Sequence, residues 1–260
     1  MSPRLDVDNL TVGYDNRLAL EQVTFSAEAG EQVAIVGPNG AGKSTLFRAI
    51  LGLAPIRSGT VRFDDGDRRV GIGYLPQRSL VDWSFPVSVL DVVLMGRIRK
   101  MGWLRPYRSR DREISEHCLQ QVGMQEYARR QIGELSGGQQ QRTFIARALA
   151  QEASILLMDE PLSGVDLPSQ EAILTILQAL RAQQITVLMS THDLALATER
   201  FERLALLNRR LIYYGPAQRA ITPELLTQTY GSQAVWRGDD YVMVLGDIHC
   251  YGGDHEHLTP

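Results

Sequence analysis

Within the run Gly37-Pro38-Asn39-Gly40-Ala41-Gly42-Lys43-Ser44-Thr45, the eight residues from Gly37 to Ser44 follow the pattern GxxxxGK[ST], and the chemistry of the run is that of holding phosphate. Glycines let the backbone turn so that successive N–H groups face anionic oxygens, and a helix starting at the end of the run adds its positive pole. Lys43 bridges the terminal phosphates, while Ser44 offers a hydroxyl to Mg²⁺, a hard cation that prefers oxygen and is shared with the nucleotide. A second constellation, Asp159-Glu160, closes the apolar run Ile155-Leu156-Leu157-Met158. Adjacent residues on a strand point to opposite sides, so the two acids have different tasks. Asp159 suits the Mg²⁺ shell, and Glu160 suits polarising the water that attacks a γ-phosphorus.

These groups must be positioned by a sheet whose carboxyl edge faces the ligand. Residues 32–36, 155–158, 186–190 and 204–207 are short aliphatic or β-branched runs, as expected of parallel strands covered on both faces. Helical patterns separate them. Residues 46–53 follow the glycine-rich loop, and residues 168–183 show Asp166 near the N-cap, Pro168 in the first turn and Ile173, Ile176, Leu177 and Leu180 at helical spacing. Residues 5–12 and the stretch through Val23 and Phe25 alternate apolar and polar, which predicts a half-exposed antiparallel sheet. From about Gln77 to Ile132 the chain is charged, Arg-rich and helical in pattern, as in residues 111–122, and reads as a helical lobe inserted into the parallel-sheet core. A short helical pattern follows Thr222, then a strand-like piece at 241–245 and a polar, His-containing tail. The expected class is α/β.

With 260 residues, 44% hydrophobic and 22% charged, the chain can bury a substantial core. No run approaches the length needed to span a bilayer, and the first eight residues lack a signal-peptide pattern, so the chain is expected to stay in the cytosol. Cys118 and Cys250 fit no CxxC pattern. A net charge of −3 gives no electrostatic reason to expect nucleic acid or anionic lipid as a partner.

Several P-loop NTPase families remain open until Leu135-Ser136-Gly137-Gly138-Gln139-Gln140-Gln141-Arg142, which resembles the LSGGQ signature of the ABC ATPase family. In family order the chain also has Tyr14 at the aromatic A-loop position, Gln77 at the Q-loop, residues 163–166 as the D-loop and His192 as the switch histidine. The resemblance implies ATP with Mg²⁺, with Tyr14 stacking on adenine. Gln77 would reach Mg²⁺ and the attacking water, and His192 would donate to the γ-phosphate. Ser136, Gly137, Gly138 and Gln139, with Ser136 as a helix N-cap, would face the γ-phosphate held by a second copy, since each motif occurs once. The implied division is an ABC ATPase domain over residues 1–235, with the helical lobe at about 77–135 and the N-terminal antiparallel β subdomain. Residues 236–260 then form a C-terminal extension.

Residues 73–89, 91–97, 133–142 and 161–166 are similar to ATPases of manganese, zinc and iron importers, bacterial manganese-import subunits above all. That subgroup implies two integral-membrane permease subunits, a metal-binding periplasmic or lipoprotein component, and a position on the cytoplasmic face of the bacterial inner membrane. Importers of iron chelates or cobalamin are the alternative; soluble ABC factors of translation or DNA repair need tandem domains or a long arm. Trp83, Phe85 and Trp103 would suit a groove for a permease helix. Arg97, Arg99, Lys100, Arg105, Arg108 and Arg110 form a basic stretch read as a solvated face or one near headgroups. The tail with His249, Cys250, Asp254, His255, Glu256 and His257 lacks the spacing of a closed zinc site and is read as a polar end.

Overall fold

A computed structural model describes residues 5–15, 17–63, 71–98, 106–231, 234–236 and 242–244. The chain runs β1 (Leu5–Tyr14), β2 (Arg17–Ala27), β3 (Gln32–Val36), α1 (Lys43–Ile50), β4 (Ile56–Phe63), β5 (Ile72–Leu75), α2 (Val89–Met95), α3 (Ser109–Gln121) and α4 (Gly137–Ala150). It continues through β6 (Ile155–Asp159), α5 (Leu167–Ala182), β7 (Thr186–Thr191), α6 (Leu194–Arg200), β8 (Arg203–Asn208), β9 (Arg210–Pro216), α7 (Pro223–Tyr230), β10 (Ala234–Trp236) and β11 (Val242–Val244).

The central sheet has the order β5-β6-β7-β3-β8-β9, parallel except for β9 at the edge. Its strands are apolar on both sides because both sides are covered. Val33, Ile35, Ile155, Leu157, Leu188, Ala205 and Leu207 pack on the face shared with α1 and the N-terminal sheet. Ala34, Val36, Leu156, Met158, Val187, Met189, Leu204 and Leu206 pack on the opposite face with α4 and α5. The period of two thus assigns alternate residues of each strand to two separate cores.

The N-terminal sheet is antiparallel in the order β2-β1-β4. In β1 the buried positions run Leu5, Val7, then Leu10, Val12, so the alternation slips by one. A register shift lies between Val7 and Leu10, where Asn9 takes φ 49° and donates its N–H to Thr24 Oγ1 at 2.8 Å. Sequence patterning misses β4, whose face is mostly exposed with Val61 and Phe63 as its buried pair, and the two edge strands of the central sheet, β5 and β9. The hairpin β10-β11 straddles residue 235.

Between β5 and β6 the chain forms α2, α3 and α4, which pack on one another. Each helix start is chemically marked. Ser88 caps α2 and Ser136 caps α4, each in a reciprocal box with the third residue of its helix. Arg97 corrects the reading of the basic stretch. It is only 6% exposed, its Nη1 donates to Glu152 Oε1 and the Ala150 carbonyl at 2.8 Å each, and its Nε donates to Asp111 Oδ1 at 3.2 Å. It therefore ties the end of α2 to the start of α3 and the end of α4. Arg99, Lys100, Arg105 and Trp103 lie outside the described residues. Replacing Arg97 by Met leaves Asp111 without its cation; a loss of about 3 kcal/mol is expected, at the low end for a broken buried pair because Glu152 is half exposed. Urea unfolding of the full chain measures it.

Candidate nucleotide site

The glycine-rich loop leaves β3 at the carboxyl edge of the central sheet and enters α1. Gly37 passes so close to β8 that a Cβ there would lie 2.0 Å from the Leu207 carbonyl oxygen. Gly42 has φ 99°, and a Cβ on it would lie 2.6 Å from Leu20 Cδ2. The loop is also pinned by hydrogen bonds, since Ala41 O accepts the Arg209 N–H at 2.8 Å and Ala41 N–H donates to Pro38 O at 3.1 Å. Backbone contact with β2 and β8 thus fixes the cradle.

Lys43, 6% exposed, points back into that cradle, donating to Gly37 O at 2.7 Å and Pro38 O at 3.2 Å. Its Nζ lies 3.8 Å from Glu160 Oε1. Burial pushes the ammonium below its ordinary range, opposed by the charges of Glu160 and Asp159. Ser44 and Thr45, the next residues of α1, are half-buried.

Asp159 and Glu160 end β6, beside the end of β7, where Asp159 pairs in register with Ser190. Asp159 is buried; the Ser190 hydroxyl donates to its Oδ1 at 2.7 Å and accepts the Glu160 N–H at 2.9 Å. Glu160 itself has φ 48°, a left-handed conformation that non-glycine residues rarely adopt. Its carboxylate accepts from Gln77 Nε2 at 3.3 Å. Burial first and the Asp159 charge second push the Tyr74 phenol up to about 12, so Tyr74 stays neutral against the carboxylate.

Lys43, Gln77, Asp159 and Glu160 are therefore brought together. His192 is exposed just beyond β7 and lines one cleft with Glu160, Ser163, Gly164, Gln170 and Asp193. Asp166 caps α5 by accepting the Ser169 N–H at 3.0 Å, a bond that holds its carboxyl below the usual range. Tyr14 stands at the end of β1 and is 40% exposed.

The signature residues bond to other partners. Ser136 N–H donates to Gln139 Oε1 at 2.9 Å and Gln139 N–H to Ser136 Oγ at 3.3 Å, while Gly137 abuts Arg78 and Gly138 abuts Ser169. Among the described residues, no hydrogen bond or ion pair joins residues 136–139 to Lys43, Asp159 or Glu160. Arg78, adjacent to Gln77, donates from Nε to Gln140 Oε1 at 3.2 Å and links the two segments. Trp83 turns inward, its ring 5.1 Å from that of Phe144, whereas Phe85 is 58% exposed, so the apolar groove expected there keeps one of its described aromatics on the surface.

Ser190, Tyr74 and Arg78 were missed as site residues in the sequence. Ser190 has a signal, being a hydroxyl at the carboxyl end of an otherwise apolar strand; Tyr74 reads as ordinary strand core. Among the described residues no group of three or more His, Cys, Asp or Glu side chains is placed to hold a metal ion, and the His-containing tail lies outside them. No helix among them is long and apolar enough to cross a membrane.

The oxygen set of Ser44, Asp159 and Gln77 has the chemistry of a hard divalent cation, and the cradle has that of phosphate. Known proteins match this arrangement. The family model described as ABC transporter matches residues 20–163. The manganese transport system ATP-binding protein MntB of Halalkalibacterium halodurans is 47% identical over 249 residues, covering 94% of this chain and 99% of the relative. The zinc transport system ATP-binding protein TroB of Treponema pallidum is 45% identical over 234 residues, covering 88% and 87%. Among solved structures, a putative metal-chelate type ABC transporter in an inward-facing conformation matches with a TM-score of 0.79 at 33% identity, covering 88% of this chain and 89% of that one. A dimeric ATP-binding cassette in a post-hydrolysis state with ADP and Pi matches with a TM-score of 0.70 at 30% identity, covering 82% and 98%.

Proposed function

Since the chain belongs to the ABC transporter family, as an ATP-hydrolysing subunit, we propose that it energises import of a divalent metal ion, manganese foremost and zinc or iron next. The observation that carries the catalytic reading is the cluster of Lys43, Gln77, Asp159 and Glu160 at the carboxyl edge of the sheet, around one phosphate cradle. The cargo reading is supported by near full-length relatives named for manganese and zinc transport. A chelate cargo is not favoured, because the neighbour of that description shares 33% identity against 47% for the manganese relative.

In this reading Tyr14 stacks on adenine, and the N–H groups of residues 37–45 enclose the phosphates. Lys43 exchanges the Gly37 and Pro38 carbonyls for the terminal phosphates. Ser44, Asp159 and Gln77 would hold Mg²⁺, whose charge neutralises and orients the phosphate oxygens. Glu160 polarises the attacking water, and His192, lining the same cleft, donates to the γ-phosphate and thereby separates ATP from ADP. Gln77 feels the site from one end of the lobe, and Arg78 passes its position to α4.

Residues 1–235 form the ATPase domain, with the lobe at 77–135, and residues 236–260 the extension. Residues 136–139 of a second copy complete each site, a pairing supported by the dimeric cassette at 30% identity. Two permease subunits hold the pair at the cytoplasmic face of the inner membrane, with a metal-binding periplasmic or lipoprotein subunit supplying the ion from outside.

The whole complex in liposomes, with its binding protein, tests this reading. Manganese is expected to stimulate ATPase activity several-fold. Failure of manganese, zinc and ferrous iron together with success of an iron chelate or cobalamin would overturn the cargo, and co-purification with ribosomes or DNA in place of a permease would overturn the class.

A further inference from the structure

Ser190 lies at one point where three features of the site meet. It is fully buried on β7, directly beside Asp159 in the parallel register. Its single hydroxyl uses both of its capacities on the carboxylate pair, donating to Asp159 Oδ1 at 2.7 Å and accepting from the Glu160 backbone N–H at 2.9 Å. That N–H belongs to a residue at φ 48°, a strained conformation that persists only where neighbours over-determine it. Without the hydroxyl, a partly buried N–H loses its acceptor and a buried carboxylate loses a donor, and both losses fall on groups that must keep their orientation.

We propose that Ser190 is a positioning residue for ATP hydrolysis, stapling the end of β6 so that Asp159 and Glu160 point to their separate tasks. This rests on the catalytic reading of those two acids given above. The staple works through geometry at both atoms. The bond to the Glu160 N–H holds the left-handed turn at φ 48° from which the Glu160 side chain reaches Lys43 and Gln77. The bond to Asp159 Oδ1 fixes one carboxylate oxygen toward β7 and so sets the direction of the whole group. Tyr74, on β5 at the other side of β6, lies against Asp159 and limits its rotation from there.

The discriminating comparison is Ser190→Thr with Ser190→Val in the full-length chain, because the two replacements have the same shape and differ in the hydroxyl. Thr is expected to stay within about threefold of the parent in kcat, and Val to fall about tenfold or more, with KM for ATP within about twofold in both. The Val variant should also need more Mg²⁺ for half-maximal rate, a shift that simple loss of fold would not produce. Equal kcat for Thr and Val, both near the parent value at matched melting temperature, would overturn the proposal, as would a fall in Val confined to KM. If the added methyl disables both, Ser190→Ala at matched melting temperature reads the same quantities, and undiminished kcat in it would overturn the proposal. Glu160→Gln run in parallel separates the two claims. If it hydrolyses ATP normally, the catalytic reading itself fails, whereas an inactive Glu160→Gln with fully active Ser190→Val removes the staple alone.

Discussion

Glu160→Gln is expected to lower kcat for ATP by a factor on the order of 10² to 10⁴, the range for loss of a general base, while ATP still binds. The substitution preserves volume and leaves an oxygen to accept from Gln77 Nε2, and the backbone N–H to Ser190 is unaffected. What disappears is one negative charge 3.8 Å from Lys43 Nζ and the ability to take a proton from water. Removing that charge also reduces repulsion of the triphosphate, so the apparent affinity for ATP should rise. A paired species that needs ATP and persists for want of hydrolysis should then accumulate. Steady-state hydrolysis, nucleotide binding and size-exclusion chromatography with and without ATP measure the three effects. Undiminished turnover would remove Glu160 as the water-polarising residue.

The four inner strands of the central sheet and the cradle were legible in the sequence because their causes are local. Strands covered on both faces must be apolar at every position, as residues 32–36 and 155–158 are, and a phosphate cradle must be built of glycine, lysine and a hydroxyl in fixed order. Helix starts were legible for the same reason, as the Asp166 and Ser136 caps illustrate. Non-local causes escaped. Nothing in the order of residues says that Ser190 stands beside Asp159, because the pairing of β6 with β7 crosses α5. Arg97 looked like part of a basic surface because five other basic residues follow it, yet its partners, Asp111 on α3 and Glu152 just past the end of α4, meet it only in the fold. The slip of alternation in β1 at Asn9 depends on the register with β2 and was equally invisible.

The lack of any bond between Ser136 to Gln139 and Lys43 or Glu160 among the described residues leads to a second large effect, read by mixing variants. Lys43→Ala removes the cation of the cradle, and Ser136→Glu sets a carboxylate at the helix N-terminus meant to face a γ-phosphate; each alone is expected to reduce hydrolysis to near background. The cap itself is worth about 1 kcal/mol, so α4 should survive the Ser136 change. In an equal mixture, half of randomly formed pairs combine the two variants, and each such pair has one site with an intact cradle from one copy and an intact signature from the other. About one quarter of the parent rate should return if the two sites of the symmetric pair act independently. If residues 136–139 served the cradle of their own chain, every site in the mixture would carry a defect and no activity would return. Recovery above the sum of the separate variants therefore assigns the signature to the opposite copy, while its absence under conditions where mixed pairs are recovered would tie both motifs to a single chain.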